Sequence, residues 1–142
     1  MVRLGAEKFS EFLSEMWLGV HDGAFLHEFP GGSIVLTSEG TERGGPWPPD
    51  ECSRCLLNWF DRGWIDAYVL REQLFRWPQD ADALPSDPAN DTARILEVKR
   101  ARAILSDPRA WTNDSPEGFV VLNPTNRAPG RQLWLDAVRP FE

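Results

Sequence analysis

Residues 50–77, DECSRCLLNWFDRGWIDAYVLREQLFRW, constrain the fold most, because a helix pattern, a glycine stop and two strand patterns follow one another there. Pro48 and Pro49 cannot extend a helix upstream, and the carboxylate of Asp50 suits a helix N-cap. Gly63 stands where a left-handed cap would end the helix. The apolar face of this helix, at helical spacing, consists of Cys52, Cys55, Leu56, Trp59 and Phe60.

A β-hairpin is predicted directly after this helix. Residues 65–70 alternate between apolar and more polar side chains, as a half-buried strand does. Arg71 and Glu72 can turn the chain, and residues 73–77 can return as a second strand. The middle of the chain is therefore expected to contain a helix followed by a β-hairpin.

The stretch LLNWFDRGWIDAYVL resembles the end of a winged-helix domain, where a recognition helix stops at Arg-Gly and enters a wing hairpin. The resemblance covers residues 36–77, about a third of the chain. It implies a winged-helix-like fold and a helix that lies in the major groove in DNA-binding members. Two departures favour such a fold without DNA binding. GTERGGPWPP replaces the expected second helix, and the exposed helix face is not basic.

The remaining patterns complete a single α+β domain over residues 1–142, with a possible subdivision at the acidic loop 78–90. Residues 24–29 fit either a short strand or a helical turn. The C-terminal part is expected to hold a further helix and a second β-hairpin. The predicted elements are helices at residues 6–20 and 91–105, strands at 33–37, 118–123 and 132–138, and a loop at 38–49.

The charge balance bears on partners and location. The net charge is −7, and an acidic surface repels nucleic acid backbones and anionic membranes at long range. No apolar run is long enough to span a bilayer, and the N-terminus lacks the apolar core of a signal peptide. We therefore expect a cytoplasmic protein without membrane association. Arginine supplies almost all basic charge, which suggests a high-GC bacterial or phage genome.

The pair Cys52-x-x-Cys55 invites a zinc or redox role. A structural zinc site needs four ligands, and His21 and His27 do not complete a zinc motif with the cysteines. Both cysteines lie on the apolar face of the predicted helix, where they act as small hydrophobic residues. Glycine-rich phosphate-binding motifs are also missing from the sequence. We therefore expect no metal and no cofactor.

Five residues are candidates for contact with a partner. Trp47 lies in a Gly/Pro loop, where it would be a binding anchor if exposed and a core residue if buried. Arg54 and Asn58 lie on the outer face of the central helix. Arg100 and Arg102 belong to a basic cluster that is either a solvated helix face or a site for an acidic partner.

Three functions follow from these candidates. The first is a protein-interaction or self-associating module that uses the Trp47 loop and the central helix. The second is a DNA-binding regulator in which Arg54 and Asn58 read bases while the arginines near Arg100 hold phosphates. The third is an enzyme centred on His21 or His27, which requires a pocket with one of them beside a carboxylate. No residue is assigned a catalytic role from the sequence.

Overall fold

A computed structural model describes residues 6–77, 86–87 and 90–138, and in these residues the chain forms four α-helices and six β-strands. The fold combines α-helices with strands that pair antiparallel, which confirms the α+β class. The elements are α1 (Ala6–Asp22), β1 (Ser33–Thr37), β2 (Gly40–Gly44), α2 (Pro49–Asp61), β3 (Ile65–Leu70), β4 (Ser86–Asp87), β5 (Asn90–Ile95), α3 (Val98–Leu105), β6 (Val121–Pro124) and α4 (Arg131–Asp136).

Four strands form an antiparallel sheet in the order β4-β5-β3-β6, and β1 with β2 forms a separate antiparallel hairpin. β3 lies inside the sheet, since β5 pairs with one of its edges and β6 with the other. Ile65, Ala67 and Val69 are buried, whereas the residues between them are only half-buried. Successive strand side chains point to opposite faces, so one face of β3 supplies the core.

One apolar core connects the helices with the sheet. α1 contributes Phe12, Met16 and Val20, which are spaced four residues apart and therefore lie on one helix face. Trp59 of α2 meets Trp134 of α4 edge-on, with ring centroids 5.0 Å apart. The Trp59 indole Nε1 also donates a hydrogen bond to the Trp134 carbonyl at 2.9 Å. This tryptophan pair anchors α4 to α2.

Several local predictions agree with the structure. The helix predicted at residues 6–20 is α1, the strand at 33–37 is β1, and the central helix is α2. Pro48, not Asp50, is the N-cap of α2, and Asp50 lies in its first turn. Gly63 has a φ of 77°, and its N–H donates to the Phe60 carbonyl at 2.9 Å. That left-handed conformation ends the helix as predicted.

The strand predicted at residues 73–77 is wrong, because the chain forms the 3₁₀ helix Arg71–Arg76 there. β5 and β6 occupy the two edges of β3, so neither edge is left for residues 73–77. Trp77, at the end of this 3₁₀ helix, is buried in the core. The wing hairpin that the winged-helix resemblance implies is therefore not formed by these residues.

The helix predicted at residues 91–105 is wrong in its first half. Residues Asn90–Ile95 form β5, and α3 begins only at Val98. Ala101 and Leu105 of α3 are buried, whereas Val98 is 72% exposed. Pairing with β3, which is distant in the sequence, outweighs the local helical pattern of residues 91–95.

The strand predicted at residues 132–138 is also wrong, because Arg131–Asp136 is the helix α4. Trp134 and Val138 are both buried. Residues four positions apart share one face in a helix and also in a strand, so this pair does not distinguish the two. Exposed Leu133, next to Trp134, fits the helix.

The C-terminal hairpin is likewise absent from the described residues. The strand predicted at residues 118–123 is present as Val121–Pro124 and is preceded by the 3₁₀ helix Glu117–Phe119. Its partner is β3 instead of a second C-terminal strand. This long-range pairing places β6 on the edge of β3 opposite to β5.

Two predicted loops have a different outcome. The loop predicted at residues 38–49 contains β2, which pairs along its whole length with β1. Backbone hydrogen bonds suffice for such pairing, even in a glycine-rich segment. The acidic loop predicted at residues 78–90 lies largely outside the described residues, and Ser86–Asp87 and Asn90 within it belong to strands. Residues 24–29 contain both structures, since Phe25 forms an isolated antiparallel bridge with Val121 and Leu26–Glu28 form a 3₁₀ helix.

Candidate binding cleft

A cleft of about 350 Å³ lies between α1, residues 24–32 and the loop that carries Trp47. The backbone N–H of Trp47 donates a hydrogen bond to the Pro30 carbonyl at 2.8 Å, which ties the loop to residues 24–32. The lining therefore combines three segments that are separated along the chain. A cleft assembled in this way is largely formed before any ligand binds.

The inner wall of the cleft is apolar. Met16, Phe29 and Trp47 line it and are buried, and Leu18 lies on it with 46% of its surface exposed. The Trp47 ring packs edge-on against Phe12, with centroids 5.5 Å apart. Because these residues belong to the core, the wall is continuous with the packed interior.

Gly19 allows Phe29 to reach its position in this wall. A Cβ at residue 19 would lie 2.6 Å from Cε1 of the Phe29 ring, closer than such carbon atoms approach one another. The glycine in the middle of α1 costs roughly 1 kcal/mol of helix stability relative to alanine. Close packing of Phe29 on the helix is the structural reason for the glycine.

Three carboxylates surround the apolar wall. Glu15 is half-buried, whereas Asp22 and Glu28 are exposed, and all three line the cleft. The Glu28 Oε2 accepts a hydrogen bond from the Phe25 N–H at 2.8 Å, which holds that carboxylate at its position. Asp22 is the last residue of α1, where the helix dipole is negative. Among the residues that the structure describes, no lysine or arginine lines this cleft, and the described lining carries negative charge.

The indole N–H of Trp47 is a buried donor in this region. Trp47 is 3% exposed, and its Nε1 has no hydrogen-bond partner among the described residues. An unsatisfied buried donor costs roughly 1–3 kcal/mol.

The predicted partner-binding residues lie in different places. Trp47 lies in the cleft wall and is buried, so it is the core residue of the two alternatives and not an exposed anchor. Arg54 pairs with Glu51 at 2.7 Å, and its guanidinium lies 5.9 Å from the Phe9 ring centroid. The Asn58 side chain donates to the Ala137 carbonyl at 3.2 Å. Arg54 and Asn58 thus hold parts of this chain together.

The predicted basic cluster is on α3, away from the cleft lining. Arg100 lies over the Trp77 ring, 4.7 Å from its centroid. Arg102 forms an ion pair with Asp61 of α2. These contacts link α3 to its neighbours, and neither arginine lines the cleft with Trp47.

Neither histidine lines the cleft. His21 stacks on Trp17 at 4.1 Å and its Nδ1 is 2.8 Å from the Trp17 carbonyl oxygen. His27 lies beside Phe25 and Phe119, with centroid distances of 5.8 and 4.9 Å. The pocket required for acid–base catalysis, a histidine beside a carboxylate, is therefore not assembled in this cleft.

Cys52 and Cys55 are buried on the inner face of α2, as their helical spacing predicts. Burial raises the pKa of the Cys52 thiol to about 12 and raises the pKa of Cys55 well above its usual value. Neutral, buried thiols are poor nucleophiles and poor metal ligands. Within the described part of the chain, no three His, Cys, Asp or Glu side chains are grouped to hold a metal ion.

The carboxylates of the cleft were missed in the sequence. Glu15 belongs to a helix with several charged residues, and no local pattern distinguishes it from Glu11. Asp22 and Glu28 each follow a histidine directly, and no local pattern marks either as a residue of a cleft. The one signal in the sequence is Trp47, a large ring in a Gly/Pro loop, which lies in the wall of this cleft.

Comparisons with protein-family models, with curated proteins and with solved structures find no match to this chain. Among the helices of the described residues, none is both long enough and apolar enough to cross a membrane. The geometry of the described residues is therefore the basis for any functional proposal.

Proposed function

We propose that this chain is a non-catalytic protein-interaction module whose cleft receives a basic side chain of a protein partner. The proposal is carried by one observation, the combination of a buried apolar wall with the exposed carboxylates of Asp22 and Glu28. Arginine and lysine side chains match such a lining, because each has an apolar stem and a cationic tip.

The size of the cleft supports a single side chain as its occupant. A volume of about 350 Å³ is at the lower end of the range for small-ligand pockets, roughly 300–1,000 Å³. Each buried methylene of the stem contributes roughly 0.8 kcal/mol, and a hydrogen bond to a charged group contributes roughly 1.5–3 kcal/mol. One side chain alone should therefore bind weakly, near a Kd of ~1 mM.

A basic side chain within a peptide fits the lining better than a free cation does. Its stem can lie against the apolar wall while its charged tip meets the carboxylates. A free inorganic cation offers no apolar stem. A basic residue within a peptide therefore matches more of the lining.

The competing functions receive less support from the same geometry. Arg54 and Asn58, the residues proposed to read DNA bases, are engaged in contacts within the chain. The net charge of −7 opposes phosphate binding. We therefore propose the winged-helix resemblance only for the unit α2–Gly63–β3. It concerns the local fold of that unit and does not extend to DNA binding.

Calorimetry with two matched peptides tests the proposal. The first is a short alanine-rich peptide with one central arginine, and the second carries citrulline, which is similar in shape but neutral. We expect the arginine peptide to bind at least ~10-fold more tightly, a difference of about 1.4 kcal/mol. Equal affinities for both peptides would show that the carboxylates do not recognise charge.

A paired set of variants locates the binding to the cleft. The double variant Asp22→Asn with Glu28→Gln removes two charges but keeps a side-chain acceptor for the Phe25 N–H. We expect it to lose the preference for arginine over citrulline. Glu11→Gln is the control, because Glu11 is exposed on the same helix and does not line the cleft. If Glu11→Gln lost the preference equally, the peptide would be responding to the overall charge of the protein at long range and not to the cleft.

A further inference from the structure

An exposed aromatic–arginine pair lies on the surface near the cleft. Phe75 is 69% exposed. The guanidinium of neighbouring Arg76 lies 3.6 Å from the Phe119 ring centroid and 4.8 Å from that of Phe75. Its Nε donates to Gln73 at 2.6 Å. Stacking and this hydrogen bond together fix the arginine in place.

The guanidinium of Arg76 retains donors for a partner. Arginine carries five N–H groups in a planar fork, and the bond to Gln73 uses one of them. Within residues 6–77, 86–87 and 90–138, Arg76 is in no ion pair. A positioned guanidinium with free N–H groups is prepared to bind a carboxylate in bidentate fashion.

The arginine pair and the cleft are neighbours on the surface. The Phe119 ring, on which Arg76 stacks, lies 5.1 Å from the Phe25 ring and 4.9 Å from the His27 ring. Glu28 of the cleft follows His27 directly and bonds the Phe25 N–H. A cationic, aromatic patch and an acidic, apolar cleft thus adjoin on one side of the molecule.

We propose that a second copy of this chain docks on the cleft, with its Phe75 and Arg76 as the contacting residues. A two-fold axis brings the same surface of both copies together, so each contact occurs twice. Adjacent patches of opposite charge are complementary to themselves under that symmetry. Arg76 of each copy would meet Asp22 and Glu28 of the other. This inference rests on the proposed function and names its partner.

The aromatic ring has a matching role in this arrangement. Phe75 of one copy would cover Leu18, the exposed apolar residue at the cleft of the other copy. Aromatic residues and arginine are the types enriched at the centres of protein interfaces. The described surface therefore supplies both halves of a self-complementary contact.

Sedimentation velocity over protein concentrations from about 5 μM to about 500 μM tests the inference, because mass action reveals even a weak dimer. We expect a monomer–dimer equilibrium that weakens as salt is raised, since the contact includes rim charges. A chain that stays monomeric over this range overturns the inference. The peptide calorimetry then decides separately whether the cleft binds arginine at all.

Charge reversal tests the residues involved. Arg76→Glu and Asp22→Arg should each weaken the dimer at least ~10-fold, and the variant with both changes should recover much of the affinity. Weakening without recovery, or a dimer insensitive to either change, overturns the Arg76–Asp22 contact. Circular dichroism of each variant checks that the fold is retained.

A pair of exposed apolar residues provides a test that leaves charge unchanged. Phe75→Ala should weaken the dimer, and Val98→Ala is the control, because Val98 is equally exposed on α3 and lines no part of this cleft. Neither truncation removes a buried side chain, so both variants should fold. Equal dimer affinity for these two variants would contradict the role of Phe75.

Discussion

Trp134 should contribute more to stability than any other residue of α4. Its side chain is 1% exposed and packs edge-on against Trp59. Its Nε1 also donates to the Pro129 carbonyl at 2.9 Å. Truncation to alanine removes roughly 150 Å² of buried surface, or about 4 kcal/mol at 25 cal/mol per Å². The lost hydrogen bond adds about 1 kcal/mol.

The expected destabilisation by Trp134→Ala is therefore about 4–5 kcal/mol, at the top of the usual range for buried tryptophan. That is a large part of the total stability of a domain, about 5–15 kcal/mol. With an m-value of ~2 kcal/mol per M urea, the unfolding midpoint falls by about 2 M. Far-UV circular dichroism is the suitable probe, because the substitution also removes a fluorophore.

Two further variants separate the causes. Trp134→Phe keeps much of the ring packing but loses the N–H, and should cost only about 1–2 kcal/mol. Leu133→Ala should stay within about 0.5 kcal/mol of the parent chain, because Leu133 is 59% exposed. If Leu133→Ala destabilised the chain as much as Trp134→Ala does, the helical geometry of residues 131–136 would be refuted.

Two other predictions concern a buried thiol and a helix end. Burial raises the pKa of Cys52 from 9.0 to about 12. Its contribution to stability is thus complete below pH 9.0 and falls above it by up to ~1.4 kcal/mol per pH unit. Urea unfolding near pH 8 and near pH ~10 measures this effect. The free energy of unfolding should fall less between the two pH values in Cys52→Ala than in the parent chain. Gly63→Ala should cost about 1–2 kcal/mol in thermal unfolding because φ is 77°. Gly130→Ala should cost less, since φ is −64° and no atom lies near.

Predictions that depend on a local pattern agree with the structure. The helical spacing of residues 6–20, the glycine at residue 63 and the alternation at residues 65–70 each specify their element without help from remote residues. Periodicity of side chains and backbone freedom of glycine act over a few residues. A single sequence therefore contains enough information for these elements.

Predictions that depend on pairing between remote segments failed. Residues 90–95 carry a helical pattern but pair with β3. Residues 131–136 carry a strand-like pattern but form α4, where Trp134 can pack on Trp59. Residues 73–77 lack a free strand edge on β3. In each case the energy of a long-range contact exceeds the local preference.

The cleft depends even more than these elements on contacts between remote segments of the chain. Glu15 and Glu28 lie on different elements, and Trp47 reaches them through its bond to the Pro30 carbonyl. The same holds for Arg76, whose position is set by stacking on Phe119. No spacing in the sequence signals either arrangement, because a site formed by several segments has no local period.

The sequence by itself determined the α+β class, helices α1 and α2, the glycine stop after α2 and the inner strand β3. Only the tertiary structure decided which strands flank β3 and which secondary structure residues 90–95 and 131–136 adopt. It also brought three carboxylates and Trp47 to one cleft. The physical reason is the range of the forces involved. Side-chain periodicity acts within a few residues, whereas strand pairing, burial and charge act between segments that folding brings together.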